Sequence, residues 1–422
     1  MADADEVNDQ GEHAVALGQL EETQEFTRQQ PFWLGALLVA AVWILARCII
    51  AFNFAAARNP FSLAYGHFQG LDSFNYLNLA NHAPSFGRCG YPPFKINAAL
   101  QLHQWWCGTA GWLPGYPLLI RVVHSLGIPL ENSALLVSWL AIVASLALVW
   151  FAWLRELDLA RTFLILLLFA IFPGVIFSFA LYPMAVAVFF LTLAVFGASR
   201  DRLCLAATAC VLAGLCYPTA WYAAAGLGVG IVLATWSKGT RERFRGLLWA
   251  AACMAAIPLL FVYYWIAVGS GDAYFKVQSF QIMGRGYLFD ILSLSKRPLT
   301  ILDRGSQWYW WWGGTRPVFF LALQVVLIFV MVAVAAFVAL RLWRRQGVAA
   351  SSELFFATMA VGVVLGAVVF PSLSTWYRGI ELAAPCVICF RRLPRWALIP
   401  LVIVVAIVTA KLSVHFFMGK MP

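Results

Sequence analysis

Long apolar runs separated by short, basic loops organise this sequence. The first run extends from about Phe32 to Phe54 and is broken only by Arg47. Others lie near 133–154, 162–180, 183–198, 203–219, 220–236, 247–268, 317–340, 354–371, 379–390 and 396–416. A helix needs about 20 apolar residues to cross the hydrocarbon core. The pattern therefore predicts an all-α polytopic membrane protein with about eleven transmembrane helices. The run at 379–390 is short and reads equally as a re-entrant segment. Two long segments interrupt the series, at about 55–132 and 269–316. They are too polar to span and too aromatic to be idle linkers. No solenoid-type repeat appears.

Composition agrees with lipid as the main solvent. The 422 residues are 62% hydrophobic and 11% charged, with a mean hydropathy of +0.80. Soluble domains carry about 25% charged residues. The net charge of +10 raises nucleic acid as a partner, but the charges sit in short loops between apolar runs, with no long basic run, which excludes it. They report orientation instead. With the N-terminus cytoplasmic, the inner loops hold Arg155 and Arg161, Arg200 and Arg202, Lys238 to Arg245, Arg341 to Arg345, and Arg391 to Arg395. The short loops opposite hold only Arg378. This is the asymmetry that the positive-inside rule requires. Both long segments then lie outside, and long segments gathered on one face point to the chemistry.

Residues 1–30 are polar and acidic and precede the first apolar run, unlike a cleavable signal. They are expected to form a disordered cytoplasmic tail before a single transmembrane domain over 31–422. Most of the nine cysteines lie in apolar runs and read as small buried hydrophobes. Cys386 and Cys389 form a C-x-x-C without a second pair, a weak metal or redox signal. Cys89 and Cys107 share the first external segment and could form a disulfide. His67, His82, His103 and His124 share that segment without metal-ligand spacing.

Three segments carry candidate chemistry. Gly70 to Ala80 places Leu71, Phe74, Leu77 and Leu79 mainly on one helical face, as in a helix lying in the membrane interface. Asp72 opens that helix, where a carboxylate serves either as a cap or as a site acid. Gly111-Trp112-Leu113-Pro114-Gly115-Tyr116-Pro117 fixes a rigid turn. Ser270-Gly271-Asp272 opens the second long segment; Asp272 is either a second site acid or a loop cap. Arg378, beside Trp376 and Tyr377, is either an interfacial anchor or a phosphate ligand. Arg47 lies within an apolar run, where a charge is functional by default or snorkels outward. Trp308 to Trp312 form either an aromatic belt or a sugar-stacking surface. Glu381 is the clearest intramembrane acid, and Arg378 three residues earlier is placed to neutralise it.

Three of these stretches, in this order, resemble the glycosylphosphatidylinositol mannosyltransferase II family of the GT-C superfamily of integral-membrane glycosyltransferases. That family has Asp-Ser-x-x-Tyr-Leu-x-x-Ala after its first helix, matched by Asp72-Ser73, Tyr76-Leu77 and Ala80. It then has Phe-Pro-x-Tyr-Pro-Leu-Leu-x-Arg, matched from Pro114 through Tyr116 to Arg121. A Gly-Asp-Pro-x-x-Phe-x-x-Gln segment is approximated by Gly271-Asp272, Phe275 and Gln278. The resemblance reaches from about 40 to 385. It departs at Leu181-Tyr182-Pro183-Met184-Ala185, where the family has Tyr-x-Glu-Ser, and at Leu215 to Thr219, where an arginine is missing.

The resemblance implies a GT-C-like bundle that transfers a mannose-like hexose from a polyprenyl-phosphate carrier, with inversion, on the non-cytoplasmic face. Asp72 would be the general base, and Arg378, Arg47, Asp272, Tyr76, Tyr116 and Gln278 would bind substrate. The lipid-linked donor is a substrate; no resident cofactor is implied, and the need for a divalent metal stays open. The acceptor could be glycan, lipid or protein. A bacterial cytoplasmic membrane is favoured over the endoplasmic reticulum. The alternatives are a solute transporter, with polar groups near the bilayer midplane, and a catalytically inactive scaffold of the same fold.

Overall fold

The computed structural model describes residues 29–51, 72–89, 105–281, 315–346, 351–369 and 378–417. Apart from one short hairpin, regular structure among them is helical. In chain order the helices are α1 (Phe32–Ala51), α2 (Ser73–Asn81), α3 (Gly115–His124), α4 (Leu130–Val149), α5 (Leu159–Ala170), α6 (Ile176–Phe179), α7 (Met184–Ser199), α8 (Leu203–Cys216) and α9 (Thr219–Trp236). Then come α10 (Thr240–Cys253), α11 (Ala256–Val268), α12 (Ala273–Gln281), α13 (Thr315–Gln346), α14 (Ser351–Val369), a 3-10 helix (Gly379–Arg392) and α15 (Arg395–Phe417). Six described spans, with α10 and α11 taken as one, are long and apolar enough to cross a membrane.

Local chemistry explains where the structure departs from the apolar runs. The run at 162–180 does not form one helix. Asp158 caps the start of α5 by accepting the Arg161 amide at 2.9 Å. Pro173 and Gly174 then stop it, the glycine at φ +98°. The remainder becomes the single turn of α6. The run at 247–268 is also divided, because Pro258 cannot donate back to the carbonyl four residues earlier. At 379–390 the chain forms a 3-10 helix. The 14 residues of the 3-10 helix rise about 28 Å at about 2 Å each, close to the thickness of the hydrocarbon core. Every residue from Gly379 to Phe390 is buried, with Pro385 in the middle. This helix packs against α5, α7, α9, α13 and α14 and forms the axis of the bundle.

Polar contacts fasten one end of that axis. Arg391 donates through Nε to Glu353 at 3.0 Å and through Nη1 to the Trp153 carbonyl at 3.3 Å. Arg395 pairs with Asp158 at 2.7 Å. Gln30 belongs to this assembly rather than to the expected tail. It is buried, donates to the carbonyl of Leu157 and the hydroxyl of Thr162, and accepts from the Trp150 indole. The rest of the expected tail, 1–28, lies outside the described residues. The arginines expected on the cytoplasmic side at 155, 391 and 395 therefore share one end of the bundle.

The hairpin pairs β1 (Gly87–Cys89) with β2 (Trp105–Cys107), antiparallel, with Arg88 opposite Trp106. A Cys89–Cys107 disulfide closes it. Beside it, Ala110, Leu113, Trp221, Leu260, Tyr264 and Tyr274 form a small second core under α11 and α12.

The α9–α14 crossing depends on two glycines. A Cβ at Gly226 would lie 2.2 Å from the Thr358 carbonyl, and one at Gly362 would lie 2.3 Å from that of Tyr222. Close backbone approach is a main source of attraction between helices in lipid. Gly226→Leu is expected to destabilise the bundle by about 1–3 kcal/mol. This would be read as a lower melting temperature in detergent, and a melting temperature equal to that of the parent would contradict the crossing.

Candidate functional site

The site is assembled around the first turn of α2. Ser73, Tyr76, Leu77, Leu79 and Ala80 turn inward, while Phe74 is 63% exposed, so the apolar residues expected to share one face are divided between the core and the surface. Both ends of this short helix are tied down. At its start the Ser73 hydroxyl donates to the Leu181 carbonyl at 3.2 Å. At its end Arg121, from α3, donates to the carbonyls of Ala80 at 2.9 Å, His82 at 3.1 Å and Leu79 at 3.2 Å. A cation over the last carbonyls of a helix satisfies orphan acceptors and opposes the negative end of the dipole. Asp72 stands at the N-cap position but makes no capping bond. The capping reading of the sequence therefore gives way to another role.

The Asp72 carboxylate reaches across the chain. Its Oδ2 accepts from Arg378 Nη1 at 2.5 Å, a contact between residues 306 positions apart. Arg378 immediately precedes the 3-10 helix, whose first residue, Gly379, leaves no room for a side chain: a Cβ there would lie 2.4 Å from Thr219 Oγ1. The Arg378 guanidinium lies 5.3 Å from the Tyr182 ring centre and 5.9 Å from that of Phe177. Cation–π contacts of this kind are worth about 1 kcal/mol or more when partly desolvated. The arginine side chain is 9% exposed and the aspartate 25%. The pair is thus open on the carboxylate side and walled by rings on the other.

Tyrosines complete the wall. Tyr76 meets Tyr182 edge-on at 6.4 Å and Tyr116 at 5.6 Å. Tyr116 lies deeper, its hydroxyl 3.0 Å from both the Ala134 carbonyl and the Ser138 hydroxyl. It supports Tyr76 rather than joining the pair. Burial pushes the phenols of Tyr76 and Tyr182 well above their ordinary range, so both remain neutral and able to donate. Tyr217 is close enough to interact electrostatically with both. One carboxylate, one guanidinium and neutral phenols together can accept a proton and hold an oxyanion.

Other nominated residues fall elsewhere. Glu381 is not neutralised by Arg378. It is buried and accepts a short hydrogen bond from Ser178, while the arginine turns to Asp72. Arg47 does not snorkel. Its guanidinium is buried, 4.0 Å from the ring centre of Trp139, 5.1 Å from Trp43 and 5.9 Å from Phe179. Phe177 faces Arg378 and Phe179 faces Arg47, so α6 stands between the two arginines. Asp272 accepts from Ser270 at 2.7 Å and pairs with Lys276 at 2.9 Å. The bonds from Lys276 and Ser270 hold its carboxyl below the usual range. These are the contacts of a loop cap, and Asp272 does not touch the Asp72–Arg378 pair. Gln278 donates to the Gly111 carbonyl and ties α12 to the turn before α3.

Lys276 also approaches Trp106 of the hairpin, 5.2 Å from the ring centre, on which Phe86 stacks at 4.7 Å. His67, His103 and Trp308 to Trp312 lie outside the described residues. Among the described residues no group of three His, Cys, Asp or Glu is placed to hold a metal. Sequence reasoning overlooked Phe177, Tyr182 and Ser178. Tyr182 was in view at the departure from the family pattern, but nothing in the sequence paired it with Arg378.

No protein-family model matches the chain, and no curated protein sequence matches it. Solved structures do. One is the oligosaccharyltransferase of Archaeoglobus fulgidus tethered to an acceptor peptide containing the NVT sequon. It is 11% identical, with a TM-score of 0.50 over 92% of this chain and 56% of that one. The same enzyme in the apo form gives 11% identity, a TM-score of 0.49 and coverage of 90% and 56%. In complex with an inhibitory peptide and a dolichol-phosphate it gives 11%, 0.48, 92% and 56%. The chain thus spans little more than half the length of these structures. The likeness at a TM-score of 0.50 shows the fold alone: an all-α, polytopic membrane bundle like that of the oligosaccharyltransferase.

A double-mutant cycle tests the pair. Asp72→Asn and Arg378→Gln, singly and combined, are expected to show a coupling energy of about 1–2 kcal/mol in the stability of the purified protein. Strict additivity would mean that the two side chains do not meet.

Proposed function

We propose that this chain is an integral-membrane glycosyltransferase. It moves a mannose-like hexose from a polyprenyl-phosphate carrier to an acceptor hydroxyl on the non-cytoplasmic face, with inversion at the anomeric carbon. The observation that carries the reading is the meeting of Asp72 and Arg378. The reaction needs a base for the acceptor proton and a fixed positive charge for the departing phosphate. Asp72 is a partly exposed carboxylate, open to incoming molecules. Arg378 supplies a planar fork suited to phosphate oxygens. Tyr76 and Tyr182, neutral phenols beside the pair, would donate to the same oxygens.

The remaining nominated residues act behind this centre. Tyr116 holds Tyr76 in place, and Gln278 with Asp272 fixes the start of the second long external segment. Arg47 supports α6 from its far side. The lipid-linked sugar is the donor substrate and membrane lipid the surrounding partner; the acceptor is a glycan, a lipid or a protein. A bacterial cytoplasmic membrane with the N-terminus inside is the setting we favour. The transporter alternative would place its polar groups near the middle of the bundle. The Asp72–Arg378 pair instead joins α2 to the first residues of the axial helix, which supports the enzyme.

Membranes containing the protein, incubated with radiolabelled polyprenyl-phosphate hexoses and a panel of acceptors, should yield labelled product. Asp72→Asn is expected to lower the rate by about 100- to 10,000-fold, the range supplied by a general base, with expression unchanged. Undiminished transfer by that variant would remove Asp72 from the role.

A further inference from the structure

Between α5 and α7 the chain runs buried and mostly irregular from Ile171 to Pro183, with the single turn of α6 inside it. So short a turn has no helical stability of its own. Side chains from other elements hold it instead. Thr409 of α15 donates to the Ile171 carbonyl at 2.7 Å, and Trp139 of α4 to that of Phe179 at 3.0 Å. Ser138 of α4 donates to the Tyr182 carbonyl at 3.3 Å, and Ser73 of α2 to that of Leu181 at 3.2 Å. In the other direction the Ser178 hydroxyl donates to Glu381 of the axial helix. The same segment carries Phe177 and Tyr182, which meet edge-on at 5.4 Å and whose rings lie against the Arg378 guanidinium.

Glu381 stands where it can register this wall. In a 3-10 helix residues three apart eclipse, and the Glu381 amide donates to the Arg378 carbonyl at 3.2 Å. Arg378 and Glu381 therefore share one edge of the axial helix, about 6 Å apart along it. Phe177 and Ser178 face them in the same order. Among the described residues the Glu381 carboxyl bonds to Ser178 through Oε1, and its Oε2 has no hydrogen-bond partner. Burying such a group costs free energy that an apolar side chain would avoid; what it supplies is direction. We infer that Glu381 is a positioning residue for the donor site. Its bond to Ser178 sets α6 against the axial helix, and with it the rings of Phe177 and Tyr182 that aim the Arg378 guanidinium at the carrier's phosphate. The inference rests on the glycosyltransferase reading above and deepens it. Glu381 acts through Ser178 and Phe177 and needs no contact with the phosphate.

The test uses the full-length protein in detergent with farnesyl phosphate as the probe and farnesol as its uncharged control. Both are titrated by microscale thermophoresis, with size-exclusion profiles confirming folded protein. The parent should bind the phosphate more tightly than the alcohol, and Arg378→Gln should lose that preference. Ser178→Ala and Glu381→Leu remove the same bond from either end. Each should weaken phosphate binding about three- to tenfold, the worth of one hydrogen bond. Combined, they should weaken it no further. Glu381→Gln keeps an oxygen that can accept from Ser178 and should hold the parent's affinity, a rescue that a merely structural role would not produce. Farnesol should bind all variants alike. Folded Ser178→Ala with the parent's affinity for the phosphate, or Glu381→Gln as weak as Glu381→Leu, would overturn the positioning role and leave the donor site standing. If the folded parent shows no preference for phosphate over alcohol, the glycosyltransferase reading of the site fails, and the positioning role fails with it.

Discussion

A carboxylate at the start of α2 and a guanidinium at the head of the axial helix neutralise each other, and much of the bundle is arranged so that they can. The guanidinium is nearly buried and the carboxylate a quarter exposed. A charge nearly excluded from water is tolerated only with a partner. Arg121 pins the far end of α2, and Gly379 allows the axial helix to begin against α9. The small α6 turn supplies the ring beneath Arg378. Each of these features positions one member of the pair, and none of them touches both.

The same economy governs the rest of the charged interior. Lipid offers no polar solvation, so ionisable groups in the bundle must be paired or laid against aromatic faces. Arg391 and Glu353 do the first at the opposite end of the axial helix. Arg47 does the second, among Trp43, Trp139 and Phe179. Glu381 shares a hydrogen bond with Ser178. Three consecutive residues of α6, Phe177, Ser178 and Phe179, thus face Arg378, Glu381 and Arg47 in turn. The axial helix is fastened by ion pairs at both ends, to α2 at one and α14 at the other.

The membrane class and most helix positions were legible in the sequence because they depend on local composition: apolar length and the punctuation of proline, glycine and arginine. Where that reading failed, the cause was equally physical. Apolar composition cannot distinguish a 3-10 rod from a re-entrant loop, since both are short and greasy. It also ran through the Pro173-Gly174 stop, whose effect depends on a positive φ. Asp72 and Arg378 were both nominated, each for its own chemistry, but their contact was not. The sequence places Glu381 three residues from Arg378 and Asp72 at the opposite end of the chain, so proximity along the chain suggested the wrong partner. Tyr182 was missed for the converse reason. Met184, where the family has its acid, made the segment look like a loss, and the tyrosine two residues before it gains meaning only once its ring is seen against Arg378.

The most direct measurement is an electron cryomicroscopy structure of the protein in nanodiscs with a polyprenyl-phosphate hexose bound. The account predicts phosphate density within hydrogen-bonding distance of the Arg378 guanidinium and the sugar between it and Asp72. A donor phosphate bound elsewhere, away from both side chains, would contradict it.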